Sequence, residues 1–271
     1  MRVATIISVY ADDSAALFRR AIGSVFEQRL KDSVTSRVYL AVDGVVPDSI
    51  EGIVDEFYLS FYKVLRIEKN LGLANALNEL IGALEDEQLV FRMDSDDVSH
   101  PDRYQTQIDY LLENPEVDIL GTDIVETDAA MCSSRLVRFY YPPSDIRKHL
   151  CIGVPVAHPS VCMRRSVFDR VGLYPTSGTN EDIAMWFKCA RAGLRFDNIP
   201  LPLLQFTVGI GFWSRRSFKK SFGEFWCYTA GVYGLFGLTW RFIFPFARFL
   251  LRLSPKPVVK FAYEWRAQKG K

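Results

Sequence analysis

Residues 91-FRMDSDDVSHPDR-103 place Asp94, Asp96 and Asp97 within four positions, directly behind an apolar run. Like charges this close repel, and burying them costs more unless a cation sits among them. In an extended stretch Asp94 and Asp96 point to one side while Ser95 points away. Two carboxylates so placed on a strand-end turn suit one Mg2+ or Mn2+, which can bridge the two phosphates of a nucleotide. The plain alternative is a solvated acidic turn that caps the helix opened by Pro101. A calcium loop of EF-hand type fails, because it needs Gly at its sixth position and Glu at its twelfth, where this chain has Ser99 and Gln105.

The elements that would position these carboxylates read as alternating strands and helices. Val3–Val9 is a β-branched run, and Ala15–Leu30 carries apolar residues at helical spacing behind Asp12, Asp13 and Ser14 as possible caps. Strands follow at Val38–Val42, Tyr62–Ile67 and Leu89–Met93, with helices near Ser49–Ser60, Leu73–Leu84 and 101–113. This alternation predicts an α/β fold with a parallel sheet covered on both faces. Ligands bind such sheets beyond the carboxyl ends of the strands. Three of those ends are polar here: Ser8 with Tyr10, Asp43-Gly44, and the Asp94 cluster. From Val117 the pattern is mixed, with strands expected at 117–122, 135–140, 160–163 and 196–205 and helices at 143–151, 165–171 and 181–192. A D-x-D-x-[TV] phosphatase of haloacid dehalogenase type matches Asp94 to Val98 in letters. That motif normally ends the first strand of its domain, whereas three strand–helix units come first here.

Composition separates two regions. The chain has 271 residues, 49% hydrophobic and 24% charged, which is enough for one large domain with an appendage. Its net charge of +1 conceals 12 Lys and Arg against two Glu in residues 211–271. The division expected is a domain over 1–212 and a basic, aromatic helical tail over 213–271. Phe225–Trp240 is uncharged for 16 residues, short of the ~20 that a bilayer span requires. On a helix Arg241, Arg248 and Arg252 fall within about 40° of each other, with Phe246, Phe249, Leu250 and Leu253 on the remaining face. That pattern predicts a segment lying on an anionic membrane surface, with packing on the domain or a partner, or a true span, as the alternatives. No nucleic-acid motif accompanies the charge. Five scattered cysteines without zinc spacing predict reduced thiols. The N-terminus reads as a first strand, not a signal peptide, so a cytoplasmic enzyme peripheral to the inner face of the membrane is expected.

Six ordered stretches carry a resemblance: 5-TIISVYADD, 41-AVDG, 69-KNLGLANALN, 91-FRMDSDD, 158-HPSVCMRRSVFDRVGLY and 180-NEDIAMWFKCARAG. Over residues 3–210 the chain resembles family 2 glycosyltransferases, inverting sugar transferases of GT-A fold with a Rossmann-like mixed sheet. The flavour is that of bacterial exopolysaccharide, capsule or lipopolysaccharide enzymes. The resemblance implies a nucleotide-sugar pocket around Ser8, Val9 and Tyr10, with Asp43 bonded to uracil or an equivalent base. Asn70, Gly72 and Asn78 would shape its floor, Asp94 with Ser95 would contact ribose or donor sugar, and Asp96 would ligate the metal. Asp182, beside Glu181 at a helix start, would deprotonate the acceptor hydroxyl. Trp186 would pack on a sugar ring or fill core. His158 would touch acceptor or phosphate or be structural, and Arg215 would close over the diphosphate or belong to the basic tail.

One departure bears on the reaction. No Q-x-x-R-W follows the Glu181-Asp182 helix, where Gln205 is followed by Phe-Thr-Val-Gly. Single-sugar transfer is therefore expected, not processive synthesis. The donor implied is a UDP-sugar, and the acceptor a lipid-linked oligosaccharide or lipopolysaccharide. Another phosphate-handling enzyme, such as a nucleotidyltransferase, and a non-catalytic nucleotide-sugar-binding scaffold are the rival readings. Oligomeric state is not legible.

Overall fold

The structure, a computed structural model, describes residues 1–128, 133–139, 146–178, 180–209 and 218–254. The first half follows the expected alternation: β1 (Arg2–Tyr10), α1 (Ala15–Phe26), β2 (Thr35–Asp43), α2 (Asp48–Glu56), β3 (Lys63–Ile67), α3 (Leu73–Gly82) and β4 (Leu89–Met93). Next come β5 (Val98–Ser99), α4 (Arg103–Glu113), β6 (Ile119–Asp128), β7 (Ser134–Val137), α5 (Ile146–His149), β8 (Cys162–Arg164), α6 (Ser166–Val171), α7 (Glu181–Arg191) and β9 (Phe196–Val208). Helices α8 (Phe218–Phe236) and α9 (Ile243–Leu253) close the described chain. The two-residue strand β5 was not anticipated, because its length gives no periodicity to read.

The strands form one mixed sheet in the order β3-β2-β1-β4-β8-β6-β9-β5, with β7 also on β6. Strands β3, β2, β1 and β4 are parallel, and register fixes which residues share an edge. Tyr10 lies opposite Asp43, Asp43 opposite Ile67, and Ile7 opposite Met93, so the Asp94 turn begins beside the end of β1. Strand β8 is antiparallel to both β4 and β6, and β9 is parallel to β6. Two reversals restore the original direction, so β6 and β9 end on the same side of the sheet as the Asp94 turn. Their pairing slips at Thr122 and Asp123. Pro200 and Pro202 lie in this stretch of β9, and proline cannot donate to a ladder.

Apolar clusters cover both faces. One joins α3, α5, α7 and α8 to the sheet; another packs α1 and α2 against it; a third lies under α4. Tyr228 and Val232 of α8 are fully buried in the first cluster. Glycine makes that docking close: a Cβ on Gly231 would meet the Phe187 ring of α7 at 2.3 Å, and one on Gly234 would meet Arg191 at 3.1 Å. No helix among the described residues is long and apolar enough to cross a membrane.

The basic face expected of the tail is arranged differently. Arg248 and Arg252 both turn inward onto the buried carboxylate of Glu224, and Arg248 lies 4.9 Å over the Tyr228 ring. Arg241 stacks over Phe236 at 4.6 Å. A buried carboxylate left without a cation is strongly destabilising, and sequence spacing cannot reveal that Glu224 is buried on the facing helix.

The seam between α7 and α8 can be tested by thermal melting. Gly231→Ala is expected to lower stability by about 1–3 kcal/mol, since Phe187 must move. Gly23→Ala, in α1 with nothing within 4 Å of the added carbon, is expected to raise it by about 0.5–1 kcal/mol.

Candidate functional site

A cleft of about 680 Å3 opens at the carboxyl ends of the strands. Ser8 and Tyr10 enter it from β1, while Val9 between them points into the core at 1% exposure. Strand alternation makes this unavoidable, so Val9 contributes no side chain to the pocket. Asp43, Asn70, Gly72, Asp94, Ser95, Asp96, His158, Glu181 and Asp182 all line the same cleft. Residues from six separate stretches of sequence thus meet at one place.

The first wall is built by two turns locked together. Asp43 is buried, and its carboxylate accepts from the amides of Leu71 at 2.8 Å and Gly72 at 2.9 Å. Gly44 sits at φ +88°, and a Cβ there would approach the Asn70 nitrogen to 2.8 Å. Asp43 therefore has a structural duty that its expected contact with a base does not cover: it holds the 70–72 turn. Asn78 lies away from the pocket. Its side-chain amide clamps the backbone of Tyr174, accepting from the nitrogen at 2.8 Å and donating to the oxygen at 2.9 Å.

The acidic wall is more crowded than the sequence indicated. Arg92, 2% exposed in β4, donates to Asp94 Oδ2 at 2.6 Å and also to Oδ1, a two-pronged pair. Ser95 Oγ donates to Asp13 at 2.8 Å, and the Tyr10 amide donates to the same carboxylate at 3.1 Å. Asp97 is fully buried; its Oδ1 accepts from the Thr207 amide at 2.8 Å, while its Oδ2 has no partner. Burial, followed by Asp94 and Asp13, pushes the Asp96 carboxyl up to about 6. Burial, then the Asp94 and Asp96 charges, raise Asp97 as well.

These residues fit a divalent cation. Oxygen atoms of Asp94, Asp96 and Asp97 all lie within 4.8 Å of one another, the one such acidic group among the described residues. Their donors are hard oxygens, as Mg2+ and Mn2+ prefer. Asp94 is engaged by Arg92, which leaves Asp96 facing the cleft as the residue to hold the ion, with the bare Oδ2 of Asp97 behind it.

Asp182 and Glu181, which line the same cleft, open α7. A helix N-terminus favours an ionised carboxyl, yet burial and then the Glu181 charge outweigh it and push Asp182 up to about 6. His158 lines the cleft as well, with Nε2 at 3.0 Å from the Tyr174 hydroxyl. Burial, and next the Arg92 charge, hold its pKa well below the usual histidine range, so it is neutral. Trp186 is 0% exposed and meets His158 and Phe196 edge-on, which makes it core and not a sugar platform. Arg215 lies outside the described residues.

Several lining residues were missed. Of the cap candidates Asp12, Asp13 and Ser14, Ser14 is the cap, accepting from the Leu17 amide, and Asp13 lines the cleft. The arginine inside the apolar run 89-LVFRM was the available signal for Arg92, because a buried cation demands an anion. Glu126, Phe139, Phe206 and Thr207 come from β6, the segment after β7, and β9, and nothing in their local sequence marks them.

The charge on Asp96 opposes folding wherever no cation offsets it. A folded pKa of about 6 against the ordinary 3.8 means the penalty is complete above pH 6 and is lost as pH falls toward 3.8. Without divalent ions at pH 8, Asp96→Asn is expected to stabilise the fold by about 2–3 kcal/mol. Melting curves should show that gain shrinking steadily to pH 4.

With this geometry established, similarity to known proteins can be placed on it. The model of Glycosyl transferase family 2 matches residues 5–172. An uncharacterised glycosyltransferase of Haemophilus influenzae is 30% identical over 97% of this chain and 98% of its own. The UDP-Gal:alpha-D-GlcNAc-diphosphoundecaprenol beta-1,3-galactosyltransferase of Escherichia coli is 28% identical, covering 73% of this chain and 71% of its own. The amylovoran biosynthesis glycosyltransferase AmsE of Erwinia amylovora is 26% identical over 96% and 97%. Among solved structures, the mannosyltransferase PcManGT of Pyrobaculum calidifontis, in complex with GDP-Man and Mn2+, superposes with a TM-score of 0.62 at 16% identity, over 99% of this chain and 80% of that one. S. aureus TarS in complex with UDP-GlcNAc gives 0.62 at 13% identity, over 95% and 83%. The two structures show the fold, and the family model with the full-length relatives shows the lineage: this chain belongs to glycosyl transferase family 2 and is a glycosyltransferase of GT-A fold.

Proposed function

We propose that this glycosyltransferase moves a single sugar, with inversion, from a nucleoside-diphosphate sugar to a hydroxyl of a lipid-linked oligosaccharide or related cell-surface glycan. The observation that carries this reading is that the acidic turn after β4 and Asp182 line one and the same cleft. Inversion by direct displacement needs a base on the face opposite the leaving group. A UDP-linked donor is favoured, in keeping with the UDP-sugar named for the E. coli relative and the UDP-GlcNAc bound by TarS. The lipid-linked acceptor is favoured by the diphosphoundecaprenol in the same relative's name.

In mechanism, the end of β1 at Ser8–Tyr10 and the turn at Asn70–Gly72 cradle the nucleotide, and Asp43 keeps that turn in place. Asp96, with Asp97 behind it, would hold a Mg2+ or Mn2+, which supplies positive charge against the departing diphosphate. Arg92 fixes the Asp94 carboxylate toward the donor. Asp182 accepts the proton of the acceptor hydroxyl as that oxygen bonds to the anomeric carbon. The bond from the anomeric carbon to the phosphate oxygen breaks, and the nucleoside diphosphate leaves with its electron pair. An Asp poised near 6 is a stronger base than an ordinary carboxylate and is still mostly ionised at neutral pH.

Sugar transfer by Asp182→Asn is expected to fall by about 10²–10⁴ in kcat with donor KM little changed. Unchanged kcat would refute the role. For the wild-type enzyme kcat/KM should drop below about pH 6, where Asp182 takes up a proton. Glu181→Gln removes a neighbouring charge that raises that pKa, so the acidic limb should move to lower pH. Chelation should abolish transfer and added Mn2+ restore it; full activity in excess chelator would contradict the metal reading.

A further inference from the structure

Helix spacing puts Phe218, Phe222, Trp226 and Tyr233 on one side of α8, and all four are exposed, Phe218 at 67% and Trp226 at 56%. On α9, Phe246 and Leu250 face outward at 53% and 64%, while Arg248 and Arg252 lie on the opposite side against Glu224. Ring contacts tie the two helices into one surface: Phe225 meets Phe246 at 4.9 Å, and Phe222 meets Phe249 at 6.3 Å. A continuous exposed aromatic patch of this kind marks an interaction site. Inward-facing arginines make the outward face more apolar than composition implies.

We propose that this aromatic face docks onto an anionic phospholipid bilayer, held by insertion of its rings and not by Arg248 or Arg252. Charge complementarity selects the occupant. The chain runs on from α9 into residues 255–271, which carry Lys256, Lys260, Arg266, Lys269 and Lys271 against Glu264 alone. The positive charge of that sequence, beside an aromatic, amphipathic pair of helices, suits anionic headgroups. The hairpin is also fastened to the helix that bears the proposed base: Gly231 lies against Phe187, and Cys227 Sγ is 3.9 Å from the carbonyl of Asn180, which adjoins Glu181. Docking would therefore orient the cleft toward an acceptor carried in the membrane. That purpose rests on the lipid-linked acceptor proposed above; the docking itself does not.

Flotation of the full chain with phosphatidylcholine–phosphatidylglycerol vesicles tests it. Wild-type protein is expected to float, and Phe222→Ser/Trp226→Ser/Phe246→Ser to lose binding at least about tenfold. Arg248→Gln/Arg252→Gln should bind within about twofold of wild type if it retains its melting transition, because those arginines do not meet lipid. Quenching of wild-type tryptophan emission by brominated acyl chains, reduced in W226F, reads the same contact without disturbing the hairpin. Equal flotation of the triple variant, or no quenching in the wild type, would overturn the proposal. So would a wild-type dimer that the triple variant converts to monomer while neither floats, since the face would then join two copies. Failure of the glycosyltransfer reading is separate: it would appear as absent sugar transfer from every donor, whatever the flotation result.

Discussion

The buried pairing of Arg92 with Asp94 is the interaction on which the cleft depends. Four carboxylates, Asp13, Asp94, Asp96 and Asp97, converge around the turn after β4. Repulsion on that scale would unfold the turn if nothing opposed it. Arg92 opposes part of it from below, engaging Asp94 through two nitrogens. Removing either partner would leave an uncompensated buried charge, at a cost of about 3–5 kcal/mol. Arg92 is half of the answer to the crowding, and the ion that the remaining carboxylates fit is the other half. The same guanidinium helps keep His158 neutral, so one side chain influences both walls of the cleft.

Sheet topology converts that local arrangement into a site. The parallel strands alone would present Ser8, Tyr10, Asp43 and the acidic turn along one edge. The antiparallel insertion of β8 between β4 and β6 extends the edge without inverting it, so Glu126, Phe206 and Thr207 join from the other half. Thr207 then stitches the halves together, with its amide on Asp97 and its hydroxyl on the Asp96 carbonyl. Helix α7 brings Asp182 and Glu181 to the same cleft, and it is packed closely by Gly231 and Gly234 of α8.

The parts legible in the sequence were those written in local pattern. Strand–helix alternation, the polar strand ends and the acidic turn each occupy a few consecutive residues, so the GT-A fold and the polar strand-end residues of the cleft could be named. Contacts between distant segments could not. Asn78 reads as a pocket residue on a helix, yet its partner Tyr174 is 96 positions away. Trp186 follows the base helix start by four residues, and only the packed structure shows it turned fully inward. The arginines of α9 share a face in any helical reading, but their destination depends on Glu224, 24 residues earlier. Asp13 sits among three cap candidates in sequence, and its cleft partner Ser95 is 82 residues distant.

The central claim is that the acidic turn and Asp182 flank one nucleotide-diphosphate site. Anomalous diffraction at the manganese edge, from crystals grown with Mn2+ and UDP, tests it most directly. A peak on Asp96, with the diphosphate lying between that peak and Asp182, is the result predicted. Manganese bound elsewhere, or a nucleotide whose phosphates lie outside the cleft, would contradict it.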